Sequence, residues 1–359
     1  MADILYVTRP MVPPWNEGSQ RLTWQIASGL QHYQAHLLTA KSIAVPSENS
    51  HIHWQRPYTH HQLTNGQRWR LLKYLWRLPQ PVDLLHFYFV PTLPTSLLFA
   101  YLMRRLGLPS VQTVPSLPKD ELSAAEAARI FFADKIVTYT WETAVFLQQR
   151  GLENVTHINV GIDVDRYSAS FDRASLRRQL KLPQEATLIL YAGEYTRLGA
   201  VAQLRQIMPL VNGRCPQCHF VFACRLLLPT DAGIKADLEK WVAANGWTDS
   251  VHFLGEVPDF LALLHASDLF LFPATDMTGK IDTPLTILEA MAAGLPVLAY
   301  EARSLVEIFG QGAASLLPNG DVAAMAAAII DLVQDRERRQ HLGQQLRQIV
   351  QARYDLQKM

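Results

Sequence analysis

The stretch DTPLTILEAMAAGLPVLAY, residues 282–300, reads as a loop, a helix and a strand, with one carboxylate, Glu289, inside the helix. Pro284 suits a first helical position, where its missing N–H would be unpaired in any case, and Asp282 or Thr283 can cap that end. Gly294 followed by Pro296 reads as a helix stop, and the apolar run 295–300 as a buried parallel strand. The N–H groups of Thr283, Leu285 and Thr286 then point out of the helix start, which makes that end a site for an anion. Glu289 lies about a turn and a half further in, within reach of whatever the anion is joined to.

Working outward, strand-like runs alternate with helical stretches along the whole chain, the pattern of doubly wound α/β architecture. In the first half the runs are 4–7, 83–90, 110–114, 135–140 and 155–160. In the second they are 187–192, 220–224, 251–253, 269–272 and 296–300. A Pro- and Gly-punctuated loop, 10–18, leads to a helix that Ser19 can cap, with Leu22, Ile26 and Leu30 on one face. The polar stretch 161–181 reads as the interdomain linker. Residues 322–333 form an Ala-rich apolar helix, and 335–352 a charged surface helix. This divides the chain into a first domain at 1–163, a second domain at 164–335 and a terminal helix at 336–359.

At 359 residues the chain is long enough for two α/β cores. About half its residues are apolar and 18% are charged, which excludes a disordered protein. A net charge of +1 gives no case for nucleic acid. The first 110 residues are less balanced, with ten Lys and Arg against four acids, a surplus of six that favours an anionic partner. No signal peptide and no run near the roughly 18 apolar residues of a membrane span is visible, so a cytoplasmic protein is expected. Cys215, Cys218 and Cys224 lack the second pair that a zinc site needs, so no metal is expected. The segment RWRLLKYLWRL, residues 68–78, is a basic aromatic helix, with Arg70, Lys73 and Arg77 on one face and Leu71, Leu72, Leu75 and Trp76 on the other. It suits a peripheral contact with an anionic membrane, or packing of its apolar face on the first domain, which is the expected outcome.

The segment 282–300 resembles the nucleotide-binding motif of retaining GT-B glycosyltransferases of family 4. ADKIVTYTWETAVFLQQRG (133–151), NVGIDVDRY (159–167), VHFLGEVPDFLALLHASDLFLFPA (251–274) and GDVAAMAAAIIDLVQD (320–335) resemble that family in the same order, so the likeness covers nearly the whole chain. It implies two Rossmann-like domains facing across a cleft, an acceptor domain at 1–163 and a donor domain at 164–335, with the terminal helix 336–359 crossing back toward the first. It implies a nucleotide-diphosphate sugar as donor and a glycan, lipid-linked or small-molecule acceptor. It also implies that Glu289 bonds the ribose, that the backbone of Thr283 and Leu285 holds the diphosphate, and that Gly18 admits a phosphate to the first helix. No cofactor or metal is implied.

The chain departs from the family at four positions. Where the family has a second Glu, eight places before Glu289, stands Ile281, between Lys280 and Asp282. Where it has an Arg and a Lys after the first strand of the second domain stand Glu194 and Leu198. Where it has a His stands Pro115. Arg197 and Lys280 are the candidates to replace the cationic pair, with Arg225 as a third cation, and Lys280 and Asp282 are the candidates for altered catalytic roles. Both cations read equally well as surface charges. His86 either lines the acceptor side or is structural. The alternative to an enzyme is a noncatalytic glycosyltransferase-like subunit that keeps the fold.

Overall fold

The computed structural model describes all residues except 16, 47, 48, 90, 91, 118–121, 169, 170, 278 and 279. Val90, the end of one expected strand, and Asn16, in the first loop, therefore lie outside the described residues. The chain forms two compact units. The first is Met1–Asn159 with Gly279–Thr283, and the second is Val160–Thr278 with Pro284–Met359.

The first unit is a parallel sheet in the order β3-β2-β1-β4-β5-β6-β7. Its strands are β1 (Asp3–Val7), β2 (Gln34–Ala40), β3 (Ile52–Tyr58), β4 (Leu84–Tyr88), β5 (Ser110–Val114), β6 (Lys135–Thr138) and β7 (Val155–His157). Its helices are α1 (Gly18–Gly29), α2 (Asn65–Trp76), α3 (Leu93–Leu106), α4 (Ala124–Ile130) and α5 (Trp141–Gln148). Strands β2 and β3 escape the sequence pattern. His36, Gln55 and Arg56 interrupt their apolar runs, and β3, with Pro57, is an edge strand, where proline costs no ladder bond. The cap expected at Ser19 is not made. Ser19 lies inside α1, whose N-cap is Glu17, and its carbonyl accepts the Thr23 hydroxyl at 2.9 Å.

The second unit is a parallel sheet in the order β10-β9-β8-β11-β12-β13. Its strands are β8 (Thr187–Glu194), β9 (Cys218–Arg225), β10 (Val251–Phe253), β11 (Leu269–Phe272), β12 (Val297–Tyr300) and β13 (Leu316–Leu317). Around them lie α6 (Arg173–Gln179), α7 (Ala200–Asn212), α8 (Asp231–Ala244), α9 (Phe260–Ala266), α10 (Leu285–Ala292), α11 (Arg303–Phe309), α12 (Val322–Gln334) and α13 (Arg336–Arg353). Both units are thus α/β and Rossmann-like, with strands that read as apolar runs because both faces are covered. Cys215, Cys218 and Cys224 lie in the second core, where burial pushes the Cys218 and Cys224 thiols up to about 12.

Helix α13 is charged but not loosely attached. Gly343 rests on the Gly294 carbonyl so closely that a Cβ there would collide with it, and Leu346 and Val350 are buried. The chain end is pinned beside it: Ile162 N–H donates to the Tyr354 carbonyl at 2.8 Å, and Leu356 N–H to the Ile162 carbonyl at 2.9 Å. Within the polar stretch 161–181, Tyr167 and Arg177 are both buried in this unit. Arg177 donates to the carbonyls of Ala266 and Ala186 and pairs with Asp268 at 2.8 Å, so its charge serves the core and not solvent.

Candidate functional site

In the second sheet β8, β9 and β10 run outward one way and β11, β12 and β13 the other. The loops after β8 and β11 therefore border a topological switch point, where open α/β sheets leave a crevice for ligands. The two loops are tied together. Thr275 N–H donates to the Leu198 carbonyl at 2.9 Å, and Asn319 Nδ2 donates to the Thr275 carbonyl at 3.2 Å. Leu198 and Gly199 both have left-handed φ, 71° and 67°, and the Thr275 hydroxyl occupies the space that a Cβ at Gly199 would need. For leucine such a φ is strained, and strain of this kind gathers at functional loops.

Glu194 closes β8, opposite Arg225 at the end of β9. Its carboxylate is 1% exposed, accepts Arg225 Nη2 at 2.9 Å and lies 3.6 Å from Arg197 Nη1. The two guanidinium groups stay partly open, 26% and 31% exposed. A buried carboxylate persists only when paired, and here two cations share one anion. Asp231, fully buried at the start of α8, fixes the loops after β8 and β9. It accepts Thr196 N–H at 2.9 Å and the N–H groups of Leu227 and Leu228 at 2.7 Å each, together with the Thr196 hydroxyl. Burial pushes the Asp231 carboxyl up, but these hydrogen bonds outweigh it and hold it below the ordinary carboxylate range.

Helix α10 follows β11. Seven of its eight residues are buried, Glu289 among them at 1% exposure. The Glu289 carboxylate accepts the Tyr167 hydroxyl at 2.7 Å, and Tyr167 itself is buried, in a short 3-10 turn at Asp165–Tyr167. The stop falls where expected: Gly294 takes φ 77°, its N–H donates to Met291, and Leu295 N–H reaches Ala290 at 3.0 Å. The start differs from expectation. Pro284 is the N-cap, not the first helical residue, and α10 carries no side-chain cap. Asp282 and Thr283 do not cap it because both are engaged in the first unit. Asp282 N–H donates to the Pro115 carbonyl at 2.9 Å, its carboxylate accepts the Thr143 hydroxyl at 2.7 Å, and the Thr283 hydroxyl donates to the Tyr139 carbonyl at 3.4 Å. Pro115, which stands where the resemblance implies a His, therefore offers a backbone acceptor instead of an imidazole.

Residues 172–349 match the family described as Glycosyl transferases group 1. The match spans almost the whole of the second unit's site. A D-inositol 3-phosphate glycosyltransferase of Corynebacterium kroppenstedtii is 26% identical over 79% of this chain and 60% of its own length. A GDP-mannose-dependent monoacylated alpha-(1-6)-phosphatidylinositol monomannoside mannosyltransferase of Corynebacterium glutamicum is 25% identical over 55% of this chain and 52% of its own. The chain thus spans little more than half the length of these relatives. Among solved structures, HepE of Anabaena in complex with UDP and glucose superposes with a TM-score of 0.80 at 18% identity, covering 99% of this chain and 96% of that one. The fold is therefore the expected GT-B fold of two Rossmann-like domains.

The expected site residues distribute over both units. Arg197, Leu285 and Glu289 belong to the second, with Arg225. Gly18, Lys280, Asp282 and Thr283 belong to the first. Gly18 opens α1 as expected, beside an ion pair between Arg9 and Glu17 at 2.9 Å. Lys280 is half-exposed. His86 is structural: Nε2 meets the Thr113 hydroxyl at 2.7 Å, the ring lies against Tyr6, and burial holds its pKa down at about 4. The sequence reading missed Tyr167, Asp231 and Thr143. The last residue of NVGIDVDRY was in view for Tyr167, but no spacing linked it to Glu289, 122 positions on.

Proposed function

We propose that this protein is a retaining glycosyltransferase that moves a sugar from a nucleotide-diphosphate donor to a glycan, lipid-linked or small-molecule acceptor. The observation that carries the reading is the buried Glu289 carboxylate, held by Tyr167 inside a helix whose start is uncapped and borders the switch point. Burying a carboxylate in an otherwise apolar helix costs several kcal/mol unless it is satisfied, and a ribose diol offers two donors to it. The amides at the start of α10 then face the diphosphate. Arg197 and Arg225, held on the neighbouring loops by Glu194, supply the cations that the resemblance places at Glu194 and Leu198.

As the bond from the anomeric carbon to the phosphate oxygen breaks, negative charge grows on the diphosphate. Fixed guanidinium groups and a helix start stabilise it without reorganising. The acceptor hydroxyl bonds to the same face of the anomeric carbon, and its proton passes to the departing phosphate oxygen. This reading needs no metal and no protein nucleophile. Lys280 and Asp282 bring a cation and a carboxylate to the chain just before Pro284, and Thr143 orients the Asp282 carboxylate for contact with the donor sugar or with Lys280. UDP in HepE supports a nucleoside diphosphate as the ligand. The family match supports an enzyme of this class.

The replacements at Ile281, Glu194, Leu198 and Pro115 favour the second reading, a noncatalytic glycosyltransferase-like subunit. Melting in the presence of UDP, GDP, ADP, TDP and their sugar conjugates, together with assays of sugar release, separates the two. A ligand at about 100 times its Kd stabilises by about 2.7 kcal/mol. A saturable shift with turnover supports the enzyme. A shift without turnover, with every acceptor class supplied, supports the subunit. No shift from any nucleotide counts against the enzyme and leaves the noncatalytic subunit, without a donor site, as the better reading.

A further inference from the structure

Helices α2 and α3 pack side by side on one face of the first sheet, with Leu71, Leu75, Phe99 and Leu102 in its core. The packing expected for α2 is therefore made by Leu71, Leu72 and Leu75, three of the four apolar residues expected on that face. Trp76 does not turn inward with the leucines. It is 43% exposed, and Trp69, two turns earlier, is 71% exposed, so both tryptophans stand on the outer face with Lys73 between them. Arg70 and Arg77 flank that stripe. On α3, Leu97 and Tyr101 are 50% and 59% exposed. The two helices form one surface: Trp76 stacks on Tyr101 at 6.4 Å, and the Arg105 guanidinium lies 3.8 Å over the Trp76 ring while donating to its carbonyl.

We infer that this face of α2 and α3 lies on an anionic lipid bilayer. Three observations select a bilayer. The exposed apolar groups are tryptophan, tyrosine and leucine on convex helix faces, the side chains that favour the level of lipid headgroups. Every charged residue on α2 and α3 is Lys or Arg. Between residues 65 and 106 the one acid is Asp83, which accepts Asp3 N–H at 2.8 Å, outside the two helices. Arginine over Trp76 places cation and aromatic at one height, as a surface that meets phosphate and acyl boundary together requires. Among the described residues no helix is long and apolar enough to cross a membrane, so the contact is with the surface. The inference does not depend on the donor site.

Flotation of the full chain with vesicles tests it. Phosphatidylcholine vesicles with about 30 mol% phosphatidylglycerol should carry the protein, while pure phosphatidylcholine should bind roughly ten-fold less, and added salt should release it. Arg70→Glu with Lys73→Glu should lower partitioning on the anionic vesicles by roughly ten-fold or more. Trp69→Ser with Trp76→Ser should abolish most of the fluorescence quenching by brominated lipid. The charge variant should keep its melting temperature, the tryptophan variant should lose no more than a few degrees as Trp76 gives up its contacts with Tyr101 and Arg105, and the nucleotide-induced shift should stay unchanged in both. Failure of the wild-type chain to float with anionic vesicles overturns the inference. So does binding by either variant equal to wild type, or a soluble polyanion bound equally well by the tryptophan variant with no vesicle binding by the parent. Dispersal of a dimer by the tryptophan variant, again without vesicle binding, would assign the face to a second copy instead.

Discussion

Replacing Glu289 by Gln separates a ligand-binding carboxylate from a structural one. The change keeps size and shape, and the amide oxygen can still accept the Tyr167 hydroxyl that now lies at 2.7 Å. A hydrogen bond to a charged acceptor contributes about 1.5–3 kcal/mol and a neutral one about 0.5–1.5. The fold therefore loses about 1 kcal/mol from this bond, partly offset because a buried charge no longer has to be desolvated. The melting temperature should move by only a few degrees, roughly 2–4 °C per kcal/mol for a unit of this size. Nucleotide binding should respond far more. A ribose diol donating to a carboxylate loses its charge-assisted bond and meets an N–H₂ donor in place of one oxygen. About 1.5–3 kcal/mol is then lost, or about 10- to 150-fold in Kd. Calorimetric titration with the nucleoside diphosphate that shifts the wild-type melt, alongside thermal unfolding of both proteins, reads the two effects separately. Unchanged Kd with saturable wild-type binding would refute the argument, because Glu289 would then serve the fold and not the ligand. Glu289→Ala is the weaker probe, since it also takes the carboxylate acceptor away from the buried Tyr167 hydroxyl, at a cost of about 1–3 kcal/mol to the fold.

The other predictions concern the groups around that helix. Arg225→Ala should destabilise more than Arg197→Ala, by about 1–3 kcal/mol in urea unfolding after allowance for their partial exposure, because its contact with Glu194 is 2.9 Å against 3.6 Å. Both should weaken a nucleoside diphosphate more than the nucleoside, and equal effects on the two ligands would remove the arginines from the phosphate site. Asp231→Asn should cost about 1–3 kcal/mol at neutral pH. The folded pKa of Asp231 is depressed, so its contribution is present above the ordinary carboxylate range and is lost as pH falls through the folded value. The acid limb of the stability curve should therefore be shallower in the variant, and an unchanged limb would show that the hydrogen bonds do not favour the charged form. His86 binds its proton only near pH 4, whereas an unfolded His does so near 6.5. The unfolded chain thus holds the extra proton between these values, and stability should fall by about 3 kcal/mol as pH drops from 6.5 to 4. His86→Gln should flatten that segment in pH-dependent unfolding. A curve with the same slope would refute the assignment of His86 as a neutral core group.

The fold was legible where burial on both faces forces apolar runs. Residues 110–114, 251–253 and 269–272 coincide with β5, β10 and β11 to the residue. The pattern was silent at β2 and β3, where His36, Gln55 and Arg56 interrupt the apolar runs, and it blurred at helix starts. Ser19 and Asp282 are both good capping types, yet neither caps, because α1 begins earlier at Gly18 and Asp282 is held by Pro115 and Thr143. Arg197 was legible as a cation, but that Glu194 gathers it with Arg225 depends on β8 and β9 lying in register.

By itself the sequence determined two α/β units, the switch from β11 into α10 and the presence of one carboxylate in an apolar helix. These are local properties, set by hydrophobic period and by glycine and proline at the stops. Only the tertiary structure decided what the carboxylate touches, which cations share Glu194 and which side of α2 faces out. Tyr167 and Glu289 are 122 residues apart, and Thr143 and Asp282 are 139. No periodicity carries information across such separations; the order of strands in each sheet does.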